Sequence, residues 1–161
     1  MLTNFADLKS FLTSRGVPFA ADDARQVLEI PTTIRGEAHA GVILWDPRAA
    51  LLHVIQVLGV AVPPGRERDL VDAIARINHA LVLPGFGFDH AAGQVYYRWV
   101  VPRAADGGMS EEDLDRAIRT VLESCRDFLP ALRAVASGEA PPDQVMMFSS
   151  RLRDEERSQQ H

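Results

Sequence analysis

Residues 51–62, LLHVIQVLGVAV, and the stretch from Val62 to Leu81, VPPGRERDLVDAIARINHAL, decide how this chain folds, because the hydrophobic period changes between them. The first stretch alternates. Leu52, Val54, Leu58 and Val60 fall on one side, and Leu51, Ile55 and Val57 on the other. Apolarity on both sides predicts a central strand, either buried twice over or holding a second face for a partner. The second stretch steps by four, three and four through Leu70, Ile74, Ile77 and Leu81, which is one face of a helix from about Arg66. Pro84-Gly85 ends that helix, so a strand feeds a helix that returns to more strands.

On the N-terminal side, Phe5, Leu8 and Leu12 lie at helical spacing within Asn4 to Arg15, stopped by Gly16 and Pro18. Arg25 to Ile34 reads as a strand interrupted by Pro31, which suits a sheet edge or a strand end. Glu37 to Asp46 is a further strand, closed by Asp46-Pro47. On the C-terminal side, Gly85 to Asp89 and Gln94 to Val101 alternate as two strands around DHAAG, and Asp106-Gly107-Gly108 turns the chain again. Ser110, followed by Glu111, Glu112 and Asp113, opens a last helix whose negative charge suits its N-terminal dipole. Leu114, Ile118, Val121, Cys125, Phe128 and Leu132 form its apolar stripe, and Pro130 predicts a kink or break between Arg126 and Pro130. The order is therefore α-β-β-β-α-β-β-α, an α+β fold with a five-stranded antiparallel sheet. Residues 1–139 are expected to form one domain and 140–161 a polar tail, which Val145, Met146, Met147 and Phe148 would pin to the body.

Bulk properties narrow the function classes. The chain has 161 residues, long enough for a core without metals or disulfides. A net charge of -5, with arginines scattered among carboxylates, argues against a nucleic-acid partner. The single cysteine, Cys125, cannot form an internal disulfide, and MLTNFADLKSFL lacks the pattern of a signal peptide. The apolar run from Ala49 to Pro64 falls short of the roughly 20 residues a membrane span requires. A cytoplasmic protein without a membrane partner is expected.

No residue pattern specifies a reaction. Asp89-His90 sits between two strands and before Gly93, where a polar hairpin tip explains it better than acid–base chemistry. His39, His53, His79 and His90 show neither an i,i+4 pair nor a cysteine companion, so no metal site is expected. Cys125 lies on an apolar stripe and reads as a core residue, and no G-x-S-x-G is present. Arg66 and Arg68, at the start of the second helix, offer an alternative role in binding an anion or small ligand, but without the glycine pattern of a phosphate loop. No cofactor and no enzyme activity are expected. The aromatic hairpin, with Phe86 and Phe88 on one strand and Tyr97 and Trp99 on the next, is mostly core material. Three helices nevertheless cannot cover both faces of a five-stranded sheet, so apolar surface should remain for a partner.

The segment from Asp69 to Glu139 also carries a family pattern. Its features are an Asn-bearing helix end (RIN, Arg76 to Asn78), a Gly-Phe hairpin strand, a strand ending in proline, a Gly-rich turn, an S-x-E-x-L-like helix start and a FLPAL close. In these it resembles the YbjN-like family of bacterial sensory-transduction regulators, which shares the fold of the class I type III secretion chaperones. That resemblance implies a chaperone-like or regulatory adaptor that binds a protein client, often as a homodimer. It places the dimer contact on the helix from Arg66 to Leu81 and the strand from Gly85 to Asp89, with Leu70, Ile74, Ile77, Phe86 and Phe88 at the interface.

Overall fold

The computed structural model describes residues 1–104 and 108–150. The chain runs α1 (Phe5–Ser14), β1 (Ala20–Asp22), β2 (Val27–Ile34), β3 (Glu37–Asp46), β4 (Leu51–Leu58), α2 (Glu67–Ala80), β5 (Phe86–Asp89), β6 (Gln94–Pro102) and α3 (Glu111–Ser137). The strands form one six-stranded sheet in the order β1-β2-β3-β4-β6-β5. The expected five strands are thus six. The addition is β1, three exposed residues paired with Val27 to Glu29, too short and too polar to show an alternation. Both edge strands, β1 and β5, are short, which limits the unpaired backbone a sheet offers to other chains.

Pro31 lies within β2, which is not an edge strand over its whole length. Because β1 reaches only as far as Glu29, Pro31 sits where its missing N–H costs no ladder bond on that side. The antiparallel β2–β3 pairing sets Ile30 opposite Gly41, and the β3–β4 pairing sets Val42 opposite Ile55.

The chain divides into two compact units. The first comprises Met1–Val57 with Arg98–Glu123. Its α1 is capped by Asn4, whose side-chain oxygen accepts from the Asp7 amide at 2.9 Å, while the Asp7 carboxylate accepts from the Thr3 amide and hydroxyl. Those bonds, led by the Thr3 hydroxyl, hold the Asp7 carboxyl below its ordinary pKa. Ser110 caps α3 as expected: its hydroxyl accepts from the Asp113 amide at 3.0 Å and donates to the Asp113 carboxylate at 2.6 Å. The core of this unit holds Phe5, Leu8 and Phe11 of α1, Ile43 and Trp45 of β3, and Leu114 and Val121 of α3. The Arg103 guanidinium stacks 4.1 Å from the Trp45 ring and donates to the Asp46 carbonyl at 2.7 Å, sealing the end of that core. Of the expected turn at Asp106-Gly107-Gly108, the first two residues lie outside the described residues.

The second unit comprises Leu58–Tyr97 and the chain from Ser124 onward. The Phe86 ring meets Tyr97 and Phe128 edge-on at 4.8 and 5.8 Å. α3 continues through Pro130 without the break predicted there. Phe128, Leu129, Ala131 and Leu132 are all buried, so packing on either side of the proline holds the helix across its missing hydrogen bond. The expected tail boundary at residue 139 also moves. Ala140, Val145 and Ser149 are buried, residues 145–150 are helical, and the Ser149 hydroxyl donates to the Asp127 carbonyl at 3.1 Å. Val145 and Ser149 do the pinning, whereas Met147 is exposed. Residues 151–161 of the predicted tail lie outside the described residues.

Gly138 ends α3 with φ +86°, and the Arg66 guanidinium occupies the space its Cβ would fill. Gly138→Ala must therefore strain the backbone and displace the arginine. It is expected to cost about 1–3 kcal/mol, read as a lowered urea midpoint.

Candidate functional site

The two faces of β3 and β4 differ. On β4, Leu52, Val54, Gln56 and Leu58 are buried, while Leu51, His53, Ile55 and Val57 are half-buried. On β3, Gly41, Ile43 and Trp45 are buried, while Val42, Leu44 and Asp46 are half-buried. The register sets Val42 beside Ile55 and Leu44 beside both His53 and Val27. The first unit thus presents an apolar patch built from Val27, Val42, Leu44, Leu51, Ile55 and Val57. Of the two possibilities for the 51–62 stretch, the half-exposed second face is the one observed.

His53 interrupts this patch. Burial, with the positive charge of Arg98 adding to it, lowers its pKa below the ordinary 6.5, and Asp46 opposes the shift. Asp46 itself is held below the ordinary carboxylate range, chiefly by the Ala49 amide and also by the Arg48 amide, both bonded to its Oδ1.

In the second unit, most of the residues expected at a dimer contact are covered by their own chain. Leu70 and Ile77 are fully buried, and Ile74 and Phe86 nearly so, at 6% and 5% exposure. Only Phe88 is half-buried, with its ring edge-on to His90 at 4.8 Å. Helical periodicity marked the right face of α2, but a face that packs within one chain and a face that packs between chains carry the same pattern. The surface of this unit is instead apolar at Val71, Val82 and Leu83, with Val82 95% exposed.

The loop carrying Val82 and Leu83 is tied down. Asn78 accepts through Oδ1 from the amides of Gly85 and Phe86, at 3.2 and 3.0 Å, and donates through Nδ2 to the Phe86 carbonyl at 2.8 Å. The Tyr97 hydroxyl donates to the Leu83 carbonyl at 2.7 Å. The asparagine of the RIN motif therefore serves as a surrogate strand partner for the start of β5.

The remaining chemical candidates are also placed. Asp89 Oδ1 accepts from the amides of Ala91 and Ala92, and Gly93 has φ +64°, so Asp89-His90 forms an exposed hairpin tip as expected. Arg66 is engaged by Asp69 at 2.7 Å and lies against Gly138, while Arg68 is exposed. Cys125 is buried, and burial pushes its thiol far above the ordinary range. Among the described residues no three of His, Cys, Asp and Glu gather as a metal-binding group, and no helix is long and apolar enough to cross a membrane.

The architecture defines a class: an α+β protein with an antiparallel sheet, buried on one face of β3 and β4 and apolar yet half-open on the other. Residues 4–134 match the YbjN family, described as "Putative bacterial sensory transduction regulator", and the chain belongs to that family. Among solved structures it is similar to "Crystal structure of YbjN, a putative transcription regulator from E. coli", at 13% identity over 83% of this chain and 88% of that one, with a TM-score of 0.56. It is also similar to a chain of "Structure of the HopA1-SchA Chaperone-Effector Complex", at 20% identity over 76% of this chain and 94% of that one, with a TM-score of 0.48. The likeness to YbjN speaks for the fold. No curated protein matches the chain.

Two measurements follow. Asn78→Ala leaves two amides and a carbonyl unpaired and is expected to cost about 1–3 kcal/mol, read by chemical denaturation. Because the folded state depresses the pKa of His53, the unfolded state binds the extra proton first. Stability should be intact above pH 6.5 and fall as pH drops below it, and His53→Gln should flatten that part of the stability–pH curve.

Proposed function

We propose that this protein is a non-enzymatic regulatory adaptor of chaperone-like type, which binds protein partners through the open sheet face of its first unit and works as a homodimer. The observation that carries this reading is the patch of Val42, Leu44, Ile55 and Val57, a run of aliphatic side chains left half-exposed on a hydrogen-bonded sheet. Membership of a regulator family supports it. The absence of enzyme activity is supported by the state of the reactive groups: Cys125 is buried with a raised pKa, and Asp89 is spent on a turn. A lone buried thiol also suits a reducing cytoplasm.

Fully covering an exposed aliphatic side chain contributes about 1.5–3 kcal/mol, and these are already half-buried, so a charge at the middle of the patch should weaken association by at least about tenfold mainly through the cost of burying it. Ile55→Lys places that charge on a half-buried position without entering the core. Sedimentation of the full chain should show a dimer that Ile55→Lys dissociates with its circular dichroism unchanged. An intact dimer in that variant removes the open face from the interface. A parent that is monomeric at every concentration removes the homodimer, and the face is then tested by photo-crosslinking from position 55.

A further inference from the structure

The covered face of the first unit is incompletely filled. A pocket of about 280 Å³ lies between the sheet and the helices. Its floor is contiguous stretches of three strands, 30–33, 41–43 and 54–56. Leu12 of α1, Val17, and Ile118, Val121 and Leu122 of α3 wall it. Gly41 lies in this floor, closely approached by its neighbours. A Cβ there would stand 3.1 Å from Thr32 Cγ2 and 3.6 Å from Gln56 Oε1, so this inward-facing position carries no side chain where Ile43 and Trp45 carry large ones. The pocket is partly open to solvent.

The lining chemistry is selective. No lining residue is charged, and the inward-facing polar side chains are Gln56 and Thr32. The Gln56 amide nitrogen is committed: Nε2 donates to the Ala40 and Val57 carbonyls, each at 3.0 Å. The Thr32 hydroxyl is buried and finds no hydrogen-bond partner among the described residues. A buried hydroxyl without a partner is costly, and here it borders an apolar space large enough to hold one. A cavity of roughly 150 Å³ accepts benzene, so this one has room for on the order of ten non-hydrogen atoms.

We propose that this pocket binds a small uncharged aliphatic molecule bearing one hydrogen-bonding oxygen, an alcohol or ketone of that size. Its oxygen pairs with the Thr32 hydroxyl and its chain lies against Ile43, Val54, Ile118 and Val121. A carboxylate or ammonium would bury a charge against a wall with no counter-charge. The site goes beyond the partner-binding reading and does not rest on it: either can fail while the other stands. The two are physically adjacent: Ile43 and Val54 are buried on the pocket side, and Val42 and Ile55, half-buried members of the open patch, also contribute to the pocket lining.

Calorimetric titration of the full chain with 1-octanol, 2-octanone, octanoate and octylammonium tests it. Both neutral probes should bind with one-to-one stoichiometry, and the two charged ones at least tenfold more weakly. Thr32→Val should weaken octanol binding about two- to tenfold, the worth of one hydrogen bond, and Thr32→Ser should restore it. Ile118→Phe, which fills the space from the helix side, should weaken both neutral probes at least tenfold with the circular dichroism unchanged. Leu122→Phe serves the same purpose should the first variant fail to fold. No saturable binding of either neutral probe by the folded chain overturns the proposal. So does octanoate binding as tightly as octanol, or full octanol affinity in a folded, pocket-filled variant.

Discussion

Burial of the apolar stripe of α3 is the interaction on which the rest of the structure depends. Leu114, Ala117, Val121, Cys125, Phe128, Leu132 and Val135 recur at helical spacing and are all at most 3% exposed. The first three belong to the first unit and the last four to the second, so a single helix supplies core to both. Truncating one large member of such a stripe typically costs about 2–5 kcal/mol, a large part of a domain's net stability. This explains why the helix tolerates Pro130. The lost hydrogen bond is offset by buried neighbours on both sides, which a break would expose.

The stripe also accounts for the asymmetry of the sheet. With α1 and the first half of α3 on one face of β3 and β4, that face is buried, and the aliphatic residues of the other face are left half-open. The proposed contact with a partner would need such a surface on a scaffold that does not collapse around it. Backbone pairing on both sides of β3 and β4 keeps the patch in place, and His53 and Asp46 at its margin keep it from being wholly apolar. In the second unit the same economy appears in the loop after α2, where Asn78 and Tyr97 satisfy the backbone while Val82 points outward.

Much of this was legible residue by residue. The change of period at Val62 announced a strand and then a helix, and the alternation of Leu51 to Leu58 announced a strand with two apolar faces. Ser110 and Asp113 marked the start of α3, and Asp89 before Gly93 marked a hairpin tip. β1 was not legible, because Ala20–Asp22 is exposed on every residue and exists as a strand only through its pairing with β2. Nor was the fate of Leu70, Ile74, Ile77 and Phe86. A one-sided apolar pattern states that a face is covered and is silent about whether the cover is the same chain. Val42 and Leu44 were within reach, since GVILWD is apolar on both alternating faces, as is the strand that follows it. The pocket left a single trace in the sequence, a glycine at position 41 in the middle of a strand.

By itself, then, the sequence determined the element types, the inward faces of α2, α3 and β4, the hairpin tip and the family pattern, because periodicity, capping and turn chemistry act over a few neighbouring residues. Tertiary structure alone decided which strands became neighbours, that residues 140–150 join the body, that the face of α2 is spent inside the chain, and that the open surface lies on β3 and β4 instead. Those outcomes turn on which apolar surfaces meet, and surfaces far apart in sequence compete for the same cover under a rule that local pattern does not contain: each face is buried once, and the area left over is what a partner can bind.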